Sequence, residues 1–300
     1  MPDVRNGLWP GVLAYVLWAL FPIYFRLLER SGALEIIGYR VLCSLVFCAV
    51  LVALGRRWAE LRSVLRNRRA MPMLAMAGVL VTANWTLYVF GVNSGRTLDA
   101  ALGYFINPLV AALLGVLVLG ERMARLQWLA MAVGTVACAV LVVDYGEVPW
   151  VGFGLALTFG VYGLLKNRVG AKVPPLVGLG VETLAVAPVF VVYLGWLAAT
   201  GGSTVSPTSA YGWLMYLAGP VTAVPLLLFA AAARALPLVT IGMLQYIAPI
   251  GQFLIGWLVF GEPMPRGRWL GFALIWVAVL MFVVSALVKW RRRSTSSVTA

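Results

Sequence analysis

Long apolar stretches alternate along this chain with short polar ones, and the apolar stretches are apolar on every face. Ten of them stand out: residues 7–25, 33–54, 71–91, 98–118, 125–143, 150–166, 176–199, 212–232, 238–259 and 267–288. Each approaches the roughly 20 apolar residues that carry a helix across about 30 Å of hydrocarbon. Backbone in lipid must satisfy its own hydrogen bonds, so a spanning segment is a helix or a strand of a closed barrel. Barrel strands alternate apolar and polar positions. These do not, and the pattern predicts ten transmembrane helices. The longest polar connections, 55–70 and 200–211, leave no room for a soluble domain between spans. The first stretch is long enough to span and lacks a small-residue cleavage site, so it reads as the first span and not as a cleaved leader.

The second half of the chain repeats the first. Asn107-Pro108, Gly115, Gly120-Glu121, Met123, Arg125 and Trp128 return as Ala248-Pro249, Gly256, Gly261-Glu262, Met264, Arg266 and Trp269, at a constant offset of 141. Val81-Thr82-Ala83 returns as Val221-Thr222-Ala223, and Arg26 as Lys166, at an offset of 140. Each copy holds five spans, an odd number, so the copies must sit opposite ways up. The expected fold is all-α integral membrane, ten transmembrane helices as two inverted-topology five-helix repeats. The repeats cover 7–143 and 150–288, and 289–300 form a basic cytoplasmic tail. Inverted repeats are a construction of secondary transporters, in which rocking one repeat against the other exposes a central site to alternate sides.

Composition agrees: the chain is 62% hydrophobic and 11% charged. The net charge of +13 could point to nucleic acid, but its distribution does not. With the N-terminus inside, seventeen Lys and Arg fall on the cytoplasmic side, five on the other, and Arg40 within the second span. That is the positive-inside rule, and it places both termini in the cytoplasm. The basic loops set topology and meet anionic lipid heads, with no nucleic-acid partner. Cys43, Cys48 and Cys138 lie inside spans as small apolar residues, with no metal spacing. Histidine is absent. No nucleophile–base pair is evident, so the chain is not read as an enzyme, and no cofactor or metal is expected. The phosphate-binding loop pattern is missing as well, so transport would draw on an ion gradient, exchange or downhill flow.

Several motifs then bear on family. They are Trp18-x-x-Phe21-Pro22-x-Tyr24-Phe25, Glu35-Ile36 with Arg40, Asn84-Trp85 and Val92-Asn93. Leu102-Gly103-Tyr104-Phe105-Ile106-Asn107-Pro108-Leu109 and Leu119-Gly120-Glu121-Arg122 follow. The second half adds Phe159-Gly160-Val161-Tyr162-Gly163, Glu182-Thr183-Leu184 and Gln245-Tyr246-Ile247-x-Pro249. In that order, across 6–290, they resemble the RarD branch of the EamA-type transporters in the drug/metabolite transporter superfamily. The resemblance implies a ten-helix carrier of the bacterial inner membrane that moves a small metabolite or drug-like molecule, and it says little about which. A passive channel of the same fold is the alternative, and a membrane-embedded enzyme a more distant one.

Candidate site residues follow from proline and buried polarity. Pro108 and Pro249 fall near the middle of the fourth and ninth spans. Proline frees the carbonyl four residues back, here those of Tyr104 and Gln245, and such a group at the midplane calls for a protein or water-lined cavity. Matched interrupted helices in two halves point to a transporter's binding site. The expected cavity therefore includes Tyr104, Asn107, Pro108, Gln245, Tyr246 and Pro249, with Asn84 and Tyr88 on one face of the third span. Trp18, Tyr162 and Arg40 complete it. Asn84 could equally be interhelical glue, and Tyr24 suits the outer aromatic belt. Glu182 lies about six residues, roughly 9 Å, into the seventh span. It corresponds to Arg40 at an offset of 142. Intramembrane charges usually mark a pathway or relay, which makes Glu182 the candidate coupling group for protons. The structural alternatives are that Arg40 snorkels to the interface and that Glu182 pairs with Lys166. Asp99 reads as a helix cap, Glu35 as mouth-lining, and Glu121 and Glu262 as loop-fixing groups beside Arg125 and Arg266. Such a cavity suits a small zwitterionic or amphipathic cargo, an amino acid or an aromatic drug. Expected partners are that cargo and the bilayer, with a homodimer as a candidate assembly.

Overall fold

The structure, a computed structural model, describes residues 4–120, 123–169, 173–206, 208–236 and 244–296. Glu121, Arg122, Lys172 and the first residues of the expected ninth span lie outside these. Among the described residues, regular structure is helical throughout. The first span is two helices, α1 (Val4–Ala19) and α2 (Phe21–Arg26). The break at Leu20 precedes Pro22, which sits in the first turn of α2, where a missing N–H costs no helical bond. α3 (Ala33–Leu54) follows, then the short amphipathic α4 (Trp58–Arg66), which buries Val64 and exposes Arg62 and Arg66. Next come α5 (Ala70–Asn93), α6 (Thr97–Leu119), α7 (Arg125–Tyr145), α8 (Trp150–Val169) and α9 (Pro175–Ala199). The expected eighth span is again split, into α10 (Ala210–Tyr216) and α11 (Ala218–Ala235). Ser209 caps α10 by accepting from the Gly212 N–H at 2.9 Å. α12 (Ile247–Leu254) runs into a π-helical turn at Ile255–Val259, and α13 (Arg266–Ser296) closes the fold. Gly120 ends α6, and Gly261 follows the π turn. At φ 68° and 67° these two occupy the same left-handed conformation at the repeat's offset.

Among the described residues, eight stretches are long and apolar enough to cross a membrane. Two shorter apolar helices, Trp150–Lys166 and Ile247–Val259, accompany them. The molecule is a multi-pass membrane protein. α9 is its most enclosed span, 61% buried against 22% for α7, so α7 and its neighbour α13 form a peripheral pair. At the centre, α3 packs on α9, α5 on α8 and α9, and α11 on α1 and α3. α6 packs on α8 and α12, and α12 on α1. Shifted by the repeat offset, α1–α11 becomes α8–α5, α3–α11 becomes α9–α5, and α6–α8 becomes α12–α1.

Glycines make the closest of these contacts. A Cβ on Gly78 of α5 would lie within 2.5 Å of the Glu182 carbonyl oxygen on α9. One on Gly219 of α11 would lie 2.6 Å from the backbone carbonyl of Cys43 on α3. The two glycines are 141 residues apart, and each seats the backbone of the other half's second span. Gly11 and Gly152, also 141 apart, are a second pair of close approaches, Gly11 against side chains only and Gly152 against Asp99 and Gly103. Gly11 faces Leu244, and Gly152 faces Gly103. Leu244 is the repeat counterpart of Gly103.

Two expectations about proline need correction. Pro108 does not interrupt its helix, since α6 is continuous from Thr97 to Leu119. Pro249 falls in the first turn of α12, after turns at Gln245 and Tyr246, where its missing N–H costs no helical bond. The two prolines are matched in sequence but not in conformation. Tyr24 is half-buried, and its hydroxyl donates to the Leu214 carbonyl at 2.8 Å, tying α2 to α10.

Candidate functional site

Arg40 is seven residues past the start of α3, about 10 Å along the helix. It does not snorkel, because it is 3% exposed. Its Nε donates to the Thr222 hydroxyl on α11 at 2.8 Å, and that hydroxyl in turn donates to the Ala218 carbonyl at 2.7 Å. The guanidinium lies 4.1 Å from the Trp85 ring centre, 5.1 Å from Phe25 and 5.5 Å from Phe21. The ionisable groups that face it are the hydroxyls of Tyr24, Tyr88 and Tyr104. A charge inside a span costs about 3 kcal/mol or more, and ring contacts of roughly 0.5–2 kcal/mol each offset part of that. Rings offer no acceptor to the N–H edge, and Nη1 is buried without a hydrogen-bond partner.

From this cation an aromatic row crosses to the second half. Phe25 meets Tyr88 at 6.0 Å, Tyr88 meets Tyr104 at 5.8 Å, Tyr104 meets Phe159 at 6.2 Å and Phe159 meets Tyr162 at 5.7 Å. Asn84 holds the row in register. Its amide donates to the Leu155 carbonyl and the Thr158 hydroxyl of α8, and its Oδ1 accepts from Tyr104 at 3.3 Å. The row ends on Glu182, whose side chain is fully buried. Lys166 Nζ lies 2.5 Å from its Oε1, and Tyr162 donates to its Oε2 at 3.2 Å. Glu182 therefore pairs with Lys166, the repeat counterpart of Arg26. Arg40 and Glu182 stand at matching depths in α3 and α9, seven residues past Ala33 and Pro175.

The remaining candidates lie elsewhere around this core. Trp18 packs on Tyr15 and Phe229, and its backbone carbonyl accepts from Gln252 of α12 at 3.0 Å. Asn107 faces Gly160 of α8, with a buried Oδ1 that has no partner. Tyr246 packs beside the buried cluster of Phe253 and Phe272, Pro249 is buried, and Pro108 and Gln245 are half-buried.

Sequence reasoning missed Gln252 and Thr222. Thr222 belongs to the repeated Val-Thr-Ala triplet, which was the available signal. Carboxylates also work across the repeats. Glu262 does not fix its own loop beside Arg266; its two oxygens accept from the Thr97 and Leu98 N–H groups at 2.6 and 2.8 Å, capping α6. Asp99 caps a helix other than its own, accepting from Gly152 N–H of α8 at 2.9 Å. Glu35 does not line a mouth but binds Ser203 and Thr204 at 2.8–3.0 Å. Among the described residues, no cluster of three or more Cys, Asp or Glu could ligate a metal.

A polytopic helical bundle with charged and aromatic groups sequestered at its centre is an architecture that transporters share with channels and membrane enzymes, and comparison narrows it. The EamA-like transporter family profile matches twice, at residues 5–143 and 148–284. The chain is 41% identical over 299 residues to a protein named RarD of Streptomyces exfoliatus, covering 99% of this chain and 94% of the relative. It is 44% identical to an uncharacterized transporter of Pseudomonas aeruginosa, with 97% of each covered. It is 38% identical to the RarD protein of Escherichia coli, with 97% and 98% covered. A solved crystal structure shares the fold at a TM-score of 0.61 and 17% identity, covering 96% of this chain and 98% of that one. This chain belongs to the RarD branch of the EamA-like transporter family.

Proposed function

We propose that this transporter is a secondary carrier working by alternating access, built of ten spans as two inverted five-helix repeats, 7–143 and 150–288. Both termini then face the cytoplasm of a bacterium, with the basic 289–300 tail on the inner leaflet. The observation that carries this reading is the mirrored packing, above all Gly78 seated on α9 and Gly219 seated on α3 at the repeat offset. An odd-span unit and its copy can share such contacts when a two-fold axis in the membrane plane relates them, the geometry of rocking carriers. The cargo is a small molecule held between the halves, beside Arg40 and the tyrosine row, and amino-acid-like or amphipathic compounds suit those walls. Protons are the proposed coupling ion. Glu182 would take up a proton when the opening of the halves parts it from Lys166.

Comparing the metabolites inside and outside cells with and without the gene identifies the cargo. Uptake of that compound into vesicles should saturate and depend on a gradient. Flux that rises linearly with concentration would make the protein a channel, and no flux of any solute would overturn the transport reading.

A further inference from the structure

Arg40 is a cation without a counter-charge at the junction of five elements. α2, α5, α6 and α11 all present side chains to it on α3, and α11 belongs to the other half. Among the described residues it has no ion pair. Trp85 and Phe25 lie against the guanidinium with ring centres 4.1 and 5.1 Å from Cζ, and rings accept no in-plane N–H bond, so recognition falls to its N–H groups. Of these, Nε is spent on Thr222, a hydroxyl fixed by its own bond to Ala218. Nη1 has no acceptor, and the nearby Tyr88 hydroxyl, itself buried, also has no partner. A guanidinium stacked on rings and left with an unpaired, buried Nη1 is matched by a carboxylate, whose charge-assisted N–H···O bond also supplies the missing counter-charge. A neutral amide would satisfy one donor and leave the charge unmatched.

We infer that the Arg40 edge, with the Tyr88 hydroxyl, is the binding site for a carboxylate group of the cargo, so that the transported class is organic acids. This rests on the carrier reading above. Nη1 is shut from solvent in this conformation, and a carboxylate enters when the halves move apart. The cargo's ammonium, if it has one, finds no free acid in this layer, since Glu182 is already matched by Lys166. The inference therefore favours acids without an obligatory amino group over zwitterions.

The test is a binding titration of the purified full-length protein with a panel of carboxylates of three to ten carbons. Each is paired with its amide, and sodium chloride serves as the ionic-strength control. At least one acid should raise the thermal midpoint where its amide and chloride do not. Arg40→Gln should weaken that acid by at least about tenfold, the factor one charge-assisted hydrogen bond supplies. Arg40→Lys keeps the charge but loses the fork and should fall between the two. Should Arg40→Gln fail to accumulate, Tyr88→Phe, which removes only a hydroxyl, should still weaken the acid several-fold. A panel in which no acid outperforms its amide, or in which chloride acts equally well, overturns the proposal and leaves the carrier reading standing. Absence of solute flux alongside selective acid binding would overturn the carrier reading instead.

Discussion

Replacing Gly78 with alanine puts a methyl group where α5 meets the backbone of α9. The added Cβ would be within 2.5 Å of the Glu182 carbonyl oxygen, 3.1 Å from its carbonyl carbon and 3.2 Å from its Cα. Ordinary carbon contacts begin near 3.5 Å, so the overlap is about 1 Å. All three atoms are backbone, so no rotamer change can relieve it, and the helices must part by about that distance. A gap of that size forfeits roughly a quarter to a half of each contact along the seam. Overpacking usually costs about 1–3 kcal/mol, and a rigid backbone on both sides places this case near 3 kcal/mol. Gly219→Ala, 2.6 Å from the Cys43 carbonyl, should cost about as much. Gly163 is the control, since nothing lies within 4 Å of its added Cβ, and alanine there gains up to about 1 kcal/mol of helix propensity. Fluorescence-detected size exclusion after heating gives the midpoints. At roughly 2 °C per kcal/mol for a chain this long, Gly78→Ala and Gly219→Ala should each fall by about 6 °C. Midpoints for both matching that of Gly163→Ala would refute the close-seat argument.

Three further outcomes follow from the geometry. Lys166→Ala strands a fully buried carboxylate and should cost about 3–5 kcal/mol. Adding Glu182→Gln should recover most of that loss in the same thermal assay, and equal midpoints for the single and double variants would show that the pair is not coupled. Glu182→Gln alone should abolish gradient-driven accumulation of the identified cargo while its exchange survives; unchanged pH-dependent uptake at equal membrane abundance would leave Glu182 a structural residue. Glu262→Gln keeps one acceptor for the α6 N-terminus but loses the charge and the second acceptor, and should cost about 1.5–3 kcal/mol. An unchanged midpoint would show that the two backbone N–H groups find other partners.

How far the sequence carried the account depends on the kind of feature. The helical class was legible, because apolar runs on every face have one solution in lipid, and so was the repeat, because identical residues recur at offsets of 140 and 141. Arg40 and Glu182 stood out as charges within spans, and Lys166 was already named as a partner for Glu182. Other features could not be read locally. Glu262 caps a helix that begins 165 residues earlier, and a loop sequence does not say which helix it will meet. Pro108 looked like a break, but the helix runs through it. Whether proline ends a span depends on what neighbours supply to the freed carbonyl, which is a tertiary fact. Gln252 carried no repeat partner and no motif. The seats of Gly78 and Gly219 were present in the repeat offset but have no meaning until the facing backbone is known.

The most direct test of inverted halves is the sidedness of two equivalent loops. Asn67 and Thr208 are exposed and separated by the repeat offset. In a background with Cys43, Cys48 and Cys138 replaced by alanine, Asn67→Cys and Thr208→Cys are treated with a membrane-impermeant maleimide in intact spheroplasts and in inverted vesicles. The account requires Thr208→Cys to react in spheroplasts and Asn67→Cys only in inverted vesicles. Reaction of both from the same side would make the halves parallel and contradict alternating access between inverted repeats.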